Sequence, residues 1–424
     1  MDVLTDNRQR QKYKTSELIT ACIAMFMFKQ DSRNAFNNDV DEQFKKNYYK
    51  IFKLRLPHMD TVDTFLRDLP RDQLDGLKAA LVSALIEQRV LHKFKLFGKY
   101  FTIAIDGTGT SSSDEDNDNK SRTHKTFKNG GTKYYDYVLD AKLVTSSGLS
   151  ISLVSEPVYN ESDKEFQKQD CETNAFVRMA VTLKKYFPKL PICILADGLY
   201  PNQTFMKICK DNDWIYVVVF QDGNLKTVQE DINDTEEKHR YKTEFNDWVA
   251  KLKTHTNKTY KWITQPLTYH EYTVYWLSCT ETITKYDKAN KVIENKSNNF
   301  IYLTDQKLEK NDKEKVKNLA KAGRQRWKIE NEGFNTQKNG GYNLEHKFSR
   351  KSFTACLNYY QCLQIAHLIN QLVEHSNNIA VLHTKKAKMT IKQMWKDFIA
   401  FLKMCDIEES ILKLENKFQI RLAG

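Results

Sequence analysis

The run Ile192-Cys193-Ile194-Leu195-Ala196 carries no polar side chain and is bounded by Pro191 and Asp197. It is too short for a helix, and a strand apolar along both faces must be covered on both faces. That requirement predicts a layered α/β domain with this strand near its centre. The neighbouring segments agree. Tyr100 to Ile105 is a second β-rich run and ends at Asp106. Tyr134–Thr145 and Leu149–Val158 read as two strands joined with hairpin character at Ser146-Ser147-Gly148. A helix is predicted from about Glu172 to Phe187, and Pro201 can open another that reaches about Asn212. Trp214 to Phe220 is one more buried strand.

On either side the pattern changes. Residues 15–95 read as helical, with Ile19, Cys22, Ile23 and Phe26, and later Leu74, Leu77, Leu81 and Leu85, at helical spacing. Between them Leu56-Pro57-His58-Met59-Asp60 breaks the pattern, and Asp60 can cap a short helix through Leu69. Short helices with basic flanks fit a helix-turn-helix reader of DNA, and they fit a plain helical bundle equally well. Residues 222–312 alternate in β fashion (Thr259–Trp262, Tyr272–Leu277, Phe300–Leu303) and read as a separate β-rich insertion. A long helix is predicted from Lys313 to about Lys338, stopped by Asn339-Gly340-Gly341. Residues 352–375 and 386–404 look helical. The order strand, strand, strand, helix, strand, helix, strand is that of a mixed-sheet α/β layer and matches a ribonuclease-H-like core. The segments are 1–95, 96–221, 222–312, 313–350 and 351–424.

Sixty-six Lys and Arg against 54 Asp and Glu give a net charge of +12. Such a balance suits a polyanionic partner, because each neutralised phosphate releases counterions, and it also suits a solvated basic surface. The eight cysteines form no CxxC pair and several sit in apolar runs, so they read as small buried hydrophobes and not as a disulfide frame or zinc site. The polar stretch Asp2–Lys14 is no signal peptide, and the longest apolar run, Ile19–Phe28, falls well short of a membrane span. A soluble, cytoplasmic protein is expected.

Asp106 and Asp197 each follow an apolar strand. In an α/β sheet, ligands bind at the carboxyl ends of the strands, so both carboxylates can face one crevice. Two such groups repel unless a cation lies between them, and Mg²⁺ takes oxygen ligands well. Asp106-Gly107 and Asp197-Gly198 are also ordinary turn dipeptides. A third element is Arg324-Gln325-Arg326-Trp327-Lys328-Ile329-Glu330-Asn331-Glu332-Gly333-Phe334. Arg326 and Glu330 share a helical face; as a surface ion pair they contribute only about 0.3 kcal/mol. Trp327 and Phe334 lie seven apart and are expected to be partly core. Gly323 and Gly333, inside a predicted helix, imply that another element or DNA comes close.

This segment resembles the Tyr-Arg-Glu-Lys signature of bacterial insertion-sequence transposases of the Asp-Asp-Glu class, whose Arg-Trp-x-Ile-Glu core stands here as Arg326-Trp327-Lys328-Ile329-Glu330. With the two Asp strand ends, the resemblance spans about residues 95–350, including a long β insertion before the Glu helix. Two positions depart from it. The signature's Tyr falls on Gly323, and its Lys falls on Gln337, with Lys338 one step later.

The resemblance implies that Asp106, Asp197 and Glu330 are catalytic and hold two Mg²⁺ ions, for which Mn²⁺ may substitute. It implies that Arg326 contacts a phosphate near the cut, with Lys338 a looser candidate. Trp327 packs near an unpaired base or fills core. It further implies double-stranded DNA as substrate, a homodimer on DNA and association with the nucleoid. Outside the resemblance, His124, with Lys125 and Lys128, can touch DNA, and His346 either supports the site or is structural. The acidic stretch Ser111–Lys120 lacks the Gly and terminal Glu of an EF-hand and reads as a solvated loop. Two rivals remain: a catalytically silent DNA-binding protein derived from such an element, and a nuclease on the same core.

Overall fold

The computed structural model describes the chain except residues 1–3, 5, 7, 10, 116–121, 129, 161–168, 222, 224, 381–388, 413–419 and 423–424. It opens with helices α1 (Thr15–Met27), α2 (Arg33–Asp39), α3 (Glu42–Phe52), α4 (Met59–Asp68) and α5 (Arg71–Glu87). Strands β1 (Phe101–Ser113), β2 (Thr123–Thr126), β3 (Thr132–Val144) and β4 (Ser150–Val158) follow. Next come α6 (Glu172–Tyr186), β5 (Ile192–Ala196), α7 (Gln203–Asp211), β6 (Ile215–Val219) and α8 (Lys226–Asp234). The insertion carries β7 (Arg240–Val249), β8 (Thr254–Ile263), β9 (Leu267–Tyr269), β10 (Tyr272–Tyr286) and β11 (Val292–Thr304). After it run α9 (Lys313–Gln325), a π-helical segment (Ile329–Asn335), α10 (Thr336–Asn339), α11 (Phe353–Glu374), α12 (Asn377–Ala380), α13 (Ile391–Met404) and α14 (Glu409–Leu412). The architecture is α/β, with a large mixed sheet and helices towards both ends of the chain.

The chain forms two compact units: Met1–Lys93 with Gly107–Pro188 and Lys328–Gly424, and Phe94–Asp106 with Lys189–Trp327. In the first, α1, α4 and α5 pack on α11. Leu18, Cys22, Phe26, Val62, Leu66, Tyr359 and Leu363 are all buried in one shared core. The helical start of the chain therefore owes its core to a helix far along the sequence. His58, not Asp60, caps α4, its ring accepting from the Asp60 N–H. β3 pairs antiparallel with β2 and with β4. Gly148 makes the β3–β4 turn at φ 95°, a conformation that glycine adopts without strain.

This unit also buries a connected set of charges and amides. Asp140 and Lys142 are both fully buried and lie 3.1 Å apart. Asp140 accepts from Ser152 (2.7 Å) and from Tyr360 (2.8 Å). Lys78, also fully buried, donates to Ser152, Ser155 and Gln361 at 2.7–2.9 Å. Lys142 donates to Gln364 (2.6 Å), and Gln337 donates to the same oxygen (2.8 Å). Burial pushes Asp140 up, but Lys142 and Lys78 beside it, with the hydrogen bonds, outweigh that and hold it below the usual carboxylate range.

In the second unit the sheet order is β1-β5-β6-β11-β10-β8-β7, with β9 on β10. β1, β5 and β6 run parallel, and the rest of the sheet is antiparallel. The insertion is therefore not separate. β11 pairs with β6, Thr304 opposite Val217, so its strands extend the sheet begun by β5 and β6. Helix α9 packs on β5, β6 and β10. Pro201 precedes α7 without opening it; Asn202 is the cap, accepting from the Phe205 N–H at 3.0 Å.

Candidate active site

β1 and β5 pair in parallel register, Phe101 with Ile192 through Ala104 with Leu195. Asp106 stands two residues further along β1, and Asp197 directly follows β5. Side chains alternate along a strand, so Asp106 lies on the side of Ala104, and Asp197 opens the turn after the neighbouring parallel strand, the two strands being about 4.8 Å apart. Asp197 accepts the Leu199 N–H at 2.9 Å, so it shapes the turn after β5 as well. The side chain of Gln221, just after β6, lies against Gly198, where an added Cβ would come 3.0 Å from its amide carbon. Sequence reading missed this polar neighbour of Asp197.

Asp106-Gly107 is not a turn. β1 continues through Gly107 to Ser113. The glycine is needed because the Tyr137 ring lies over it: a Cβ there would come within 2.3 Å of the ring. That ring is fixed by its hydroxyl, which donates to Glu172 at 2.7 Å.

Arg326, the C-cap residue of α9, is 7% exposed and donates from its guanidinium to Asp106 at 3.1 Å. It is thus a buried residue and not a surface one. α9 is held to the same sheet by Gln325, which accepts from the Thr102 hydroxyl (3.3 Å), and by Arg324 over the Phe300 ring (3.9 Å). Gly323 lets the helix lie on Tyr302: a Cβ would come 2.5–2.8 Å from three ring atoms.

The long helix expected from Lys313 to Lys338 is broken. After Gln325 the chain turns, then follows a π-helical path over Ile329–Asn335. The wider π turn breaks the seven-residue spacing of Trp327 and Phe334. Phe334 is buried, but Trp327 is 47% exposed, which corrects the core expectation for it. Its indole lies beside the Arg326 guanidinium, 5.6 Å from ring centroid to carbon. Gly333 is required where the chain passes Lys142 and Ser150: a Cβ would come 2.9 Å from the Ser150 hydroxyl and 3.2 Å from the Lys142 stem.

Glu330 stands four residues after Arg326, on the π-helical segment and in the other compact unit. Among the described residues, no group of three or more His, Cys, Asp or Glu side chains is placed to hold a metal ion. Asp106 and Asp197, on β1 and just after β5, are of the right chemistry to supply oxygen ligands to a divalent cation.

Lys338 pairs with Glu345 at 2.8 Å. Gln337 is fully buried, against Gln364 and the His367 ring nitrogen (2.9 Å). His124 is exposed on β2, held by Gln169 through its backbone N–H at 2.8 Å and packed on Tyr134. His346 is partly buried edge-on to Phe348, and burial, with Arg350 and Arg33 nearby, lowers its pKa. It is a packed structural histidine. The acidic stretch at 111–120 lies partly outside the described residues; its start, Ser111–Ser113, is strand. All eight cysteines are free, and Cys405 is exposed, unlike the buried majority. Among the described residues no helix is long and apolar enough to cross a membrane.

No protein-family model matches the chain, and no curated protein matches its sequence. Among solved structures, the chain is similar to a piggyBac transposase determined as a synaptic complex with hairpin DNA. The identity is 10% and the TM-score 0.42, over 96% of this chain and 77% of that one, a likeness too remote to assign a fold or an activity.

Proposed function

We propose that the protein is a DNA transposase of the Asp-Asp-Glu class with a ribonuclease-H-like core, cutting at the ends of its own element and joining them to target DNA. The observation that carries this reading is the placement of Asp106 and Asp197 just beyond the paired parallel stretch of β1 and β5, with Arg326 of the Arg-Trp-x-Ile-Glu motif on Asp106. Asp106, Asp197 and Glu330 would hold two Mg²⁺ ions, with Mn²⁺ able to replace them. When bound, such ions supply a nucleophile at neutral pH and stabilise the departing oxygen.

In the first reaction water adds to phosphorus and the bond from phosphorus to the 3′-oxygen breaks. The element keeps a 3′-hydroxyl, the flank keeps a 5′-phosphate, and the water proton ends on the departing oxygen. In the second, that 3′-hydroxyl attacks a target phosphodiester and displaces a 3′-oxygen in the same way. Arg326 holds the Asp106 carboxylate in place and supplies positive charge to a phosphate beside it. Trp327, exposed next to Arg326, offers an aromatic face to an unpaired base. Lys338 and His124 are further DNA contacts. Two ends must be handled together, so the acting species is a dimer on DNA.

A second reading, a DNA-binding protein that no longer cuts, is favoured by the same Arg326–Asp106 ion pair, which balances the carboxylate without a metal ion. The two separate in one set of measurements. Mn²⁺ at a hundred times its dissociation constant is expected to stabilise the protein by about 2.7 kcal/mol against unfolding. That gain should vanish in Asp106→Asn and Asp197→Asn. Nicking of duplex DNA and joining of precut ends should appear with Mg²⁺ and be absent in Glu330→Gln. Stabilisation by Mn²⁺ that survives both Asp variants, or no cleavage in the wild type, refutes the transposase reading.

A further inference from the structure

Within the first unit lies a cleft of about 850 Å³ that shares only Lys338 with the DNA contacts proposed above. That volume is in the range of small-molecule sites, which run from about 300 to 1,000 Å³. Its floor is aromatic and charged. Lys29 lies 4.8 Å from the Tyr342 ring centroid and 5.9 Å from that of Trp395. Glu374 is committed to this floor, 3.4 Å from Lys29 and accepting from the Trp395 indole N–H at 2.7 Å.

The rim and inner wall differ in kind. Lys392 and Lys396, one turn apart on α13, line the cleft and are exposed, with no ion pair to any described residue. Inside, one carboxylate oxygen of Glu332 bonds Lys328 (2.5 Å), while its Oε2 is buried without a hydrogen-bond partner among the described residues. A buried acceptor without a donor costs about 1–3 kcal/mol, so Glu332, whose Oε2 is closed to solvent, gains by turning its carboxylate towards a ligand that brings an N–H. Apolar wall is supplied by Ile391, Ile399 and Phe28.

A flat, partly apolar group bearing an amine, attached to an anion, fits all three features. We infer that this cleft takes an unpaired nucleotide of a DNA strand, its base amino group towards Glu332 and its phosphates on Lys392 and Lys396. A carboxylate accepting from the exocyclic amine of cytosine is a known recognition pair. The inference rests on the protein acting on DNA, yet its test does not depend on cleavage.

The experiment uses the full chain without added metal and a fluorescein-labelled, cytosine-containing single-stranded oligonucleotide, read by anisotropy over a range of salt. Lys392→Ala/Lys396→Ala should lower the slope of log affinity against log salt by about 1.4, since each single-strand phosphate contact contributes about 0.7. Asn339→Trp, an exposed position on the cleft wall, should block the site and weaken single-strand binding about tenfold, as the loss of one stacked base would. Duplex binding by both variants should stay at the wild-type level. Excess dCMP should not compete, because a free nucleotide lacks the neighbouring phosphates. Equal losses for single strand and duplex, or an unchanged salt slope in the double variant, overturn the inference. Effective competition by dCMP overturns it too, assigning the cleft to free nucleotides. Cleavage without selective single-strand binding would sink only the cleft; binding without cleavage would sink only the transposase.

Discussion

Replacing Gly323 by alanine places a methyl group where the Tyr302 ring already lies. The new carbon would stand 2.5, 2.7 and 2.8 Å from three ring atoms, against ordinary contacts of 3.4–4 Å. Either α9 or the ring must give way by nearly 1 Å. The ring is only 2% exposed, on the strand that pairs with β6, and has little room to move. Overpacking of this kind costs about 1–3 kcal/mol. Three contacts under 3 Å on a ring with little room put the cost in the upper part of that range, about 2–3 kcal/mol, and since alanine regains about 1 kcal/mol over glycine in a helix interior, the net loss is about 1–2 kcal/mol. For a unit of this size that lowers Tm by roughly 2–8 °C. Thermal and urea unfolding, followed by tryptophan fluorescence and circular dichroism, reads the loss. Tyr302→Leu removes the obstructing ring edge, so the double variant should be more stable than the sum of the singles predicts, by at least about 1 kcal/mol. If Gly323→Ala is as stable as the wild type or more so, the glycine is a mere surface position and the packing argument fails. A moved α9 also moves Arg326, so the DNA binding proposed for this protein should weaken alongside.

Two other perturbations test buried charge. Asp305 follows β11, accepts the Tyr216 N–H at 3.1 Å, and is pushed up to about 6 by burial. The folded state therefore holds a proton that the unfolded state has released between about pH 4 and 6, so this group's contribution to stability falls as pH rises through that window. Asp305→Asn keeps an acceptor without the charge, and should be more stable than the wild type by about 3 kcal/mol at pH 8 and no different below pH 4. A less stable variant at pH 8 would show that the carboxylate has a favourable partner. In the other unit, Lys142→Met keeps the length of the stem but leaves Asp140 short of a cation, at an expected 3–5 kcal/mol. Adding Asp140→Asn should recover much of it; a single variant within about 1 kcal/mol of wild type would mean that Lys78 alone satisfies Asp140.

Much of the second unit was legible because its signals are local. A five-residue apolar run specifies a covered strand wherever it occurs, and Ile192–Ala196 is that strand, fully buried. The hairpin at Gly148 and the helix around Leu74–Leu85 were readable for the same reason. What was hidden depends on partners far away in sequence. Gly107-Thr108-Gly109-Thr110 looks like a loop, yet it is strand, held where Tyr137 covers Gly107 and the Thr110 hydroxyl donates to the Asp136 carbonyl at 3.2 Å. The insertion looked separate because nothing in β11 itself announces that it pairs with β6. In the site, the two strand-end aspartates were legible as candidates, but their shared level on β1 and β5 needs the register. The Arg326–Asp106 pair joins residues 220 apart and has no sequence signal at all.

The two departures from the transposase signature have physical causes in the packing. At Gly323 no side chain fits, because the Tyr302 ring fills the space from the neighbouring strand. At Gln337 a lysine would have to enter a fully buried pocket where Lys142 already bonds Gln364 and where His367 presents a ring nitrogen. A second ammonium there would be repelled by the first, and burial has already pushed the Lys142 and His367 pKa values down. An amide bonds both neighbours without adding charge. The buried cation near the π-helical segment thus comes from β3, and its stem also dictates Gly333. Gly333 is tied to Lys142, and Gln337 to the amides that Lys142 bonds, so the segment carrying Glu330 is specified from β3 as much as from its own residues. Variants of Lys142 should therefore disturb the π-helical segment before any residue on that segment is changed.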